Sequence, residues 1–99
     1  MIIRVATYHA LQGKDVEKWM NTSTSEIRGI QGVRRVEFIR SKSDPSQYGV
    51  IMLFRSTADL DTYKEEQAGT YQTLVRSIRE TWWDDSKPVT EQIFEILDI

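Results

Sequence analysis

An α+β fold built on a four-stranded antiparallel sheet is predicted by three features of the sequence. The spacing of apolar residues changes along the chain in the order strand, helix, strand, strand, helix, strand. A short polar loop joins the second and third strands, as in an antiparallel hairpin. The length of 99 residues fits one domain, and we expect residues 1–99 to form it.

The first strand and the first helix differ in the period of their apolar residues. Residues 2–8 mix β-branched and aromatic side chains, which predicts a strand that stops at the loop around Gly13. From Lys14 the apolar positions recur every three or four residues, so one stripe of a helix faces a core. The stripe comprises Val16, Trp19, Met20, Ser23, Ile27 and Ile30.

The second and third strands are predicted at residues 33–40 and 48–55, on either side of a turn containing Asp44-Pro45. Alternation in the second strand places Val36 and Phe38 on one face and Val33 and Ile39 on the other. Three arginines, Arg34, Arg35 and Arg40, lie on this strand. They either bind an anionic group or protect a sheet edge from unwanted pairing.

The second helix is predicted to begin at Ser56 or Thr57, either of which can cap it. Gly69 interrupts its apolar stripe and predicts a kink or a two-piece helix. The stripe of this helix comprises Leu60, Tyr63, Gln67, Tyr71, Leu74, Ile78 and Trp82.

The fourth strand is predicted at residues 89–99.

The order βαββαβ is that of ferredoxin-like folds, in which right-handed crossovers place both helices on one face of the sheet. Strands one and three then become central. Residues 50–54 of strand three are all apolar, so this sheet has two apolar faces and its helices cover only one. The other face would leave a large exposed apolar patch, which predicts a homodimer packed sheet to sheet.

Composition excludes several classes of function. The net charge of −2 argues against a nucleic-acid partner, and no apolar run is long enough to span a membrane. The chain has no Cys and a single His, so we expect no metal site. No cofactor-binding motif is present, and no signal peptide is visible at the start. We therefore expect a cytoplasmic protein without a cofactor.

Short motifs along nearly the whole chain resemble the antibiotic biosynthesis monooxygenase (ABM) family. They are Gly13-Lys14, Gln31-Gly32-Val33, Ser43-Asp44-Pro45 and Leu53-Phe54-Arg55-Ser56. The resemblance implies a dimeric α+β barrel. The known activities of that family include cofactor-free oxygenation of polycyclic aromatics, quinol oxidation and haem degradation, and many of its members have no assigned activity.

The family's catalytic residues do not carry over to this chain. Its haem-degrading members have an Asn in strand one, a Trp at the end of strand three and a His in the second helix. The matching places here are Ala6, Phe54 and a position near Thr73, so haem degradation is not expected. Other members have a His early in the second helix, where this chain has Glu65-Glu66-Gln67.

Aromatic side chains are the main candidates for a ligand site between sheet and helices. A pocket lined by them would suit a flat aromatic molecule, although ordinary core packing is the alternative. Trp82 and Trp83 are helix neighbours and cannot both point inward. The predicted substrate-binding residues are Tyr8, Trp19, Met52, Phe54, Tyr63 and Trp82.

For proton transfer, His9 and Tyr71 are the predicted catalytic residues. His9 is the only side chain whose unperturbed pKa lies near neutrality, but it alternates away from Tyr8 and could instead lie at an interface. Two functions follow. One is a small cofactor-independent monooxygenase acting on an aromatic molecule, and the other is a non-catalytic dimeric domain that binds a small hydrophobic ligand.

Overall fold

The computed structural model describes residues 1–21, 29, 32–67, 83–84 and 86–99. Helix α1 begins at residue 16 and is described to residue 21. Helix α2 spans Thr57–Gln67, and the predicted continuation of its stripe, including Gly69, lies outside the described residues. The strands are β1 (Ile2–His9), β2 (Val33–Arg40), β3 (Gln47–Phe54) and β4 (Thr90–Glu95).

The four strands form one antiparallel sheet in the order β2-β3-β1-β4, so the predicted ferredoxin-like α+β fold is confirmed. Strand β1 is central. It pairs with β3 along its full length, from Ile2 opposite Phe54 to His9 opposite Gln47, and with β4 on its other side. These pairings fix which side chains share a face, because directly opposed residues point the same way.

Strand β2 contains a register shift that the sequence pattern does not reveal. Val33 lies opposite Phe54, whereas Arg35 lies opposite Leu53, so Arg34 is an extra residue in the strand. The bulge turns Val33 to the face that carries Val36 and Phe38. The prediction that Val33 shares a face with Ile39 is therefore wrong.

Strand β4 is shorter than the predicted span of residues 89–99. The backbone N–H of Ile96 still donates to the carbonyl oxygen of Met1, at 2.9 Å. Beyond that contact Leu97 and Ile99 are exposed side chains.

One face of the sheet is covered by helices and holds the core. Against α2 the core consists of Val36, Met52, Phe54, Leu60 and Tyr63. Against α1 it consists of Val16, Met20 and Trp83. Side chains cap both helices: Ser56 Oγ accepts the N–H of Asp59 at 3.3 Å, and Asp15 Oδ1 accepts the N–H of Lys18 at 3.0 Å.

The opposite face, which we call the open face, is apolar along its centre. Alternation from the paired register places Ile3, Val5, Ile51, Leu53 and Phe94 on it. The first four are half-buried and Phe94 is exposed.

Among the described helices, none is long and apolar enough to cross a membrane.

Gly49 tests the tight packing at the centre of the sheet. A Cβ added there would lie 2.7 Å from the carbonyl oxygen of Ala6 and 3.0 Å from Ile39 Cγ1. We expect Gly49→Ala to lower the free energy of unfolding by about 1–3 kcal/mol, because backbone must shift to admit the methyl group. Urea denaturation measures the loss, with Lys42→Ala in the exposed turn as the control. Equal stability of the two variants would contradict the packing described here.

Candidate functional site

Five aromatic rings form one cluster beneath α1, on the helix-covered face. Trp83 is at its centre: its ring lies 5.0 Å from Tyr8, 5.8 Å from Trp19 and 6.5 Å from Tyr48, between centroids. Phe38 closes the cluster with an edge contact to Trp19 at 6.4 Å. Such tilted and edge-to-face arrangements are those that aromatic quadrupoles favour. We call these residues the Trp83 cluster.

A cavity of about 430 Å³ adjoins this cluster at the β2 edge of the sheet. Its apolar wall includes Met20, Phe38 and Tyr48. At its polar side the Arg40 Nη1 atom lies 3.4 Å from Glu17 Oε1, and both side chains are largely exposed. The volume is in the range of small-molecule sites, whereas the cavity is broadly open to solvent and polar surface exceeds apolar surface on its walls. The remaining lining residues are Asn21 and Ile39.

A second group of rings lies beneath α2. Tyr63 contacts Phe54 at 5.3 Å between centroids, and both pack with Met52. Phe54 is 0% and Met52 2% exposed, so these two side chains contact only protein in this conformation. The predicted substrate-binding residues thus fall into two places: Tyr8 and Trp19 in the Trp83 cluster, and Met52, Phe54 and Tyr63 in the core under α2.

Arg4 lies beside this second group. Among the described residues it is the buried charged side chain, with 6% exposure. Its position in central strand β1 points the side chain to the helix-covered face. The guanidinium carbon lies 5.6 Å from the centre of the Tyr63 ring, a cation–π distance. The Nη1 atom is 3.8 Å from the thioether sulfur of Met52, which is a weak acceptor.

The carboxylate that balances Arg4 comes from edge strand β4. The Nε and Nη2 atoms of Arg4 both reach a single oxygen, Glu91 Oε2, at 2.9 Å. The other oxygen of Glu91 lies 3.7 Å from Lys64 Nζ. Two cations therefore share one carboxylate. Burial opposes the charged form of Arg4, but Tyr63, Tyr8 and Glu91 outweigh it and raise the pKa, so Arg4 stays charged.

His9 lies on the open face, away from the aromatic rings. Its Nε2 atom is 3.5 Å from Asp44 Oδ2, and its Nδ1 atom is buried without a hydrogen-bond partner among the described residues. Its backbone carbonyl accepts the N–H of Asp84 at 2.7 Å. His9 therefore contacts two chain segments at one end of the sheet, one through its imidazole and one through its backbone carbonyl, and the sheet separates the imidazole from Arg4.

Two serines hold the carboxylates near His9. Asp44 Oδ1 accepts the hydroxyl of Ser46 at 2.7 Å and its N–H at 3.0 Å. Asp84 is bound by Ser86 in the same way, at 2.5 and 3.0 Å. These hydrogen bonds stabilise the ionised carboxylates and lower the pKa of both groups, with a smaller contribution from His9.

The sequence prediction missed Arg4, Tyr48 and Trp83 as members of the site region. Arg4 has the parity of Ala6 and Tyr8 in the first strand, and this signal was available. The sequence pattern does not separate Trp83 from Trp82, and the structure shows the Trp83 side chain to be buried. Tyr71 and Trp82 lie outside the described residues, so their predicted roles stay predictions.

The chain is similar to solved protein structures. No protein-family model and no curated protein sequence matches the chain. A crystal structure from Deinococcus radiodurans, provisionally named an antibiotic biosynthesis monooxygenase, superposes with a TM-score of 0.76 at 13% identity. The match covers 100% of this chain and 95% of that one.

Other solved structures agree with that comparison. A protein from Bordetella bronchiseptica with the same provisional name gives a TM-score of 0.75 at 14% identity, over 97% of this chain and 96% of the other. A Nitrosomonas europaea protein of unknown function gives 0.74 at 15% identity, over 99% and 90%. The chain therefore has the fold found in proteins named as antibiotic biosynthesis monooxygenases, and at this identity the likeness concerns the fold.

The hydrogen bonds from Ser46 to Asp44 predict how the pKa of this carboxyl group responds to a substitution. Its pKa lies below the ordinary value of 3.8, and we expect Ser46→Ala to raise it toward that value. A depressed pKa contributes stability that is present above the unfolded pKa and is lost as the pH falls through the folded pKa. Titration of the carboxyl carbons by NMR measures the shift. Ser86→Ala is the matched control, which should move Asp84 alone; an Asp44 pKa indifferent to Ser46→Ala would refute the assignment.

Proposed function

We propose that the protein is a cofactor-independent monooxygenase that acts on an aromatic small molecule bound between the sheet and the helices. The observation that carries the proposal is the concentration of aromatic side chains on the helix-covered face, next to a cavity of ring-binding size. The monooxygenase names of proteins with this fold support it.

The proposed oxygenation needs few groups from the protein. An electron-rich aromatic compound with an acidic ring CH₂ group loses a proton, and its carbanion reduces O₂ to a ring hydroperoxide. Loss of water then leaves C=O, so one oxygen atom enters the product and the other leaves as water. The protein must supply a dry site, a proton acceptor and a stabiliser of the developing oxyanion.

Residues on the helix-covered face fit these roles unevenly. In the proposal, Tyr8 and Trp19 bind the ring and Tyr71 handles the proton, since Tyr71 falls on the same sequence stripe as Tyr63. His9 lies across the sheet, which argues against its acting on a ligand bound by these residues. The placement of this single His also favours the second candidate function, a domain that binds an aromatic ligand without transforming it.

We further propose that two chains pack through their open faces. Ile3, Val5, Ile51 and Leu53 form a continuous apolar strip across the two central strands, with Phe94 beside it on β4. A soluble monomer seldom leaves such a strip uncovered. A two-fold axis through this face would bury each copy against the other and leave both helix-covered faces outside.

Ligand binding and oxygenation can be tested together with a hydroxylated anthrone as the probe. We expect saturable quenching of Trp fluorescence, because the Trp83 cluster adjoins the cavity, and O₂ uptake without added cofactor. Tyr71→Phe removes only a hydroxyl and should lower the rate of O₂ uptake about 100-fold while quenching persists. His9→Ala is the control and should keep most of the rate.

The outcomes separate the two candidate functions. Quenching without O₂ uptake would support the ligand-binding domain and reject the enzyme. Loss of the rate in His9→Ala, with Tyr71→Phe unaffected, would transfer the proton-handling role to His9. Absence of quenching by any aromatic probe would reject both functions.

The oligomeric state is tested by light scattering after size exclusion. We expect twice the chain mass of 11.6 kDa for the wild type and a single chain mass for Leu53→Glu, since a charge at the centre of the open face opposes burial. Lys42→Glu, in the exposed turn, is the control and should remain a dimer. A wild-type monomer would reject packing through the open face.

A further inference from the structure

We propose that Arg4 is an anion-binding residue on the helix-covered face, beneath α2, where its guanidinium takes an anionic oxygen of an acidic aromatic ligand. The inference rests on the proposed binding of an aromatic molecule between sheet and helices, and it narrows the class of that molecule to acids. The anionic oxygen belongs to a carboxylate or to an ionised ring hydroxyl.

The first support is the cost of placing a cation at this position. Arg4 is 94% covered, in the middle of the central strand, with Ala6 and Met52 as neighbours on the same face. An arginine here must be desolvated, whereas an apolar residue would pack in the same layer without that cost. The carboxylate that balances this charge, Glu91, comes from an exposed edge strand and not from the core.

The second support is the incomplete match between Arg4 and Glu91. A guanidinium fork fits two carboxylate oxygens side by side, yet Nε and Nη2 of Arg4 both contact Glu91 Oε2 alone. The second oxygen is drawn toward Lys64. Glu91 is also 41% exposed on edge strand β4, so its side chain can swing into solvent and free the fork.

The third support is the chemistry around the guanidinium. Its Nη1 atom lies 3.8 Å from the thioether of Met52, a poor acceptor for a charged group, and the Tyr8 hydroxyl also hydrogen-bonds to the guanidinium on this face. The ring of Tyr63 faces the cation, and Tyr8 contributes to its electrostatic stabilisation. An aryl acid brings what this arrangement lacks: two anionic oxygens for the fork, and a ring to pack among aromatic side chains.

The test compares two probes of equal shape, 2-naphthoate and its neutral amide, 2-naphthamide, by Trp fluorescence at pH 7.5. The wild type should bind the naphthoate about tenfold more tightly than the amide, a typical value for a charge-assisted hydrogen bond. In Arg4→Gln this preference should vanish while the amide binds as before. Arg35→Gln removes the same charge from an exposed position paired with Glu37, and should keep the preference.

A second variant keeps the proposal testable if Arg4→Gln fails to fold. Glu91→Gln removes the competing carboxylate from an accessible edge position, so naphthoate should bind about threefold or more tightly than to the wild type. A purely structural ion pair predicts no gain. 2-Naphthol, neutral at this pH and largely ionised at pH 10.5, distinguishes a ring hydroxyl from a carboxylate as the source of the anion.

The results separate this inference from the proposed function. Equal binding of naphthoate and naphthamide by the wild type would overturn the role of Arg4 and leave the aromatic site in place. Unchanged naphthoate affinity in Glu91→Gln would also count against it. Failure of both probes to bind would overturn the proposed function, and the role of Arg4 with it.

Discussion

Strand β1 is the constraint on which the rest of the structure depends, because it is hydrogen-bonded on both sides and cannot shift without breaking both ladders. Its pairing with β3 and β4 fixes the parity of every side chain in the sheet. Arg4, Ala6 and Tyr8 face the helices for that reason, and Ile3 and Val5 face away. A slip by one residue would exchange these sets and bury the wrong residues.

The same constraint separates two kinds of chemistry. The helix-covered face has aromatic rings, a buried cation and an adjoining cavity, all of which suit a planar acidic molecule. The open face has apolar side chains along its centre. At one end of it His9 lies beside the carboxylate of Asp44, which accepts hydrogen bonds from Ser46. The proposed binding and the proposed association would therefore use separate surfaces of one sheet, joined by the backbone of the strands.

Much of this arrangement could be predicted from the sequence, because periodicity reports element type and parity reports the face. The order of elements, the central strands and the two apolar faces all followed from those two patterns. The bulge at Arg34 did not, since an extra residue in an edge strand leaves alternation that looks regular on either side. The face of Val33 was wrong for this reason alone.

The site was harder to predict than the fold. An arginine in an apolar strand suggests a solvent-facing position, and only its parity with Ala6 indicates otherwise. The burial of Trp83 accompanies its bridge to Ala10, which is a tertiary contact with no local pattern. The division of the aromatic residues into two groups likewise depends on which helix covers which strands, and the sequence does not encode that at short range.

The bulge in β2 also limits how copies of this chain can assemble by adding strands. It twists one edge of the sheet and is flanked by charged side chains, so that edge is a poor template for a further strand. Only the β4 edge is left for pairing of that kind. Strand addition through the β4 edge alone would join two copies of the chain into a closed pair.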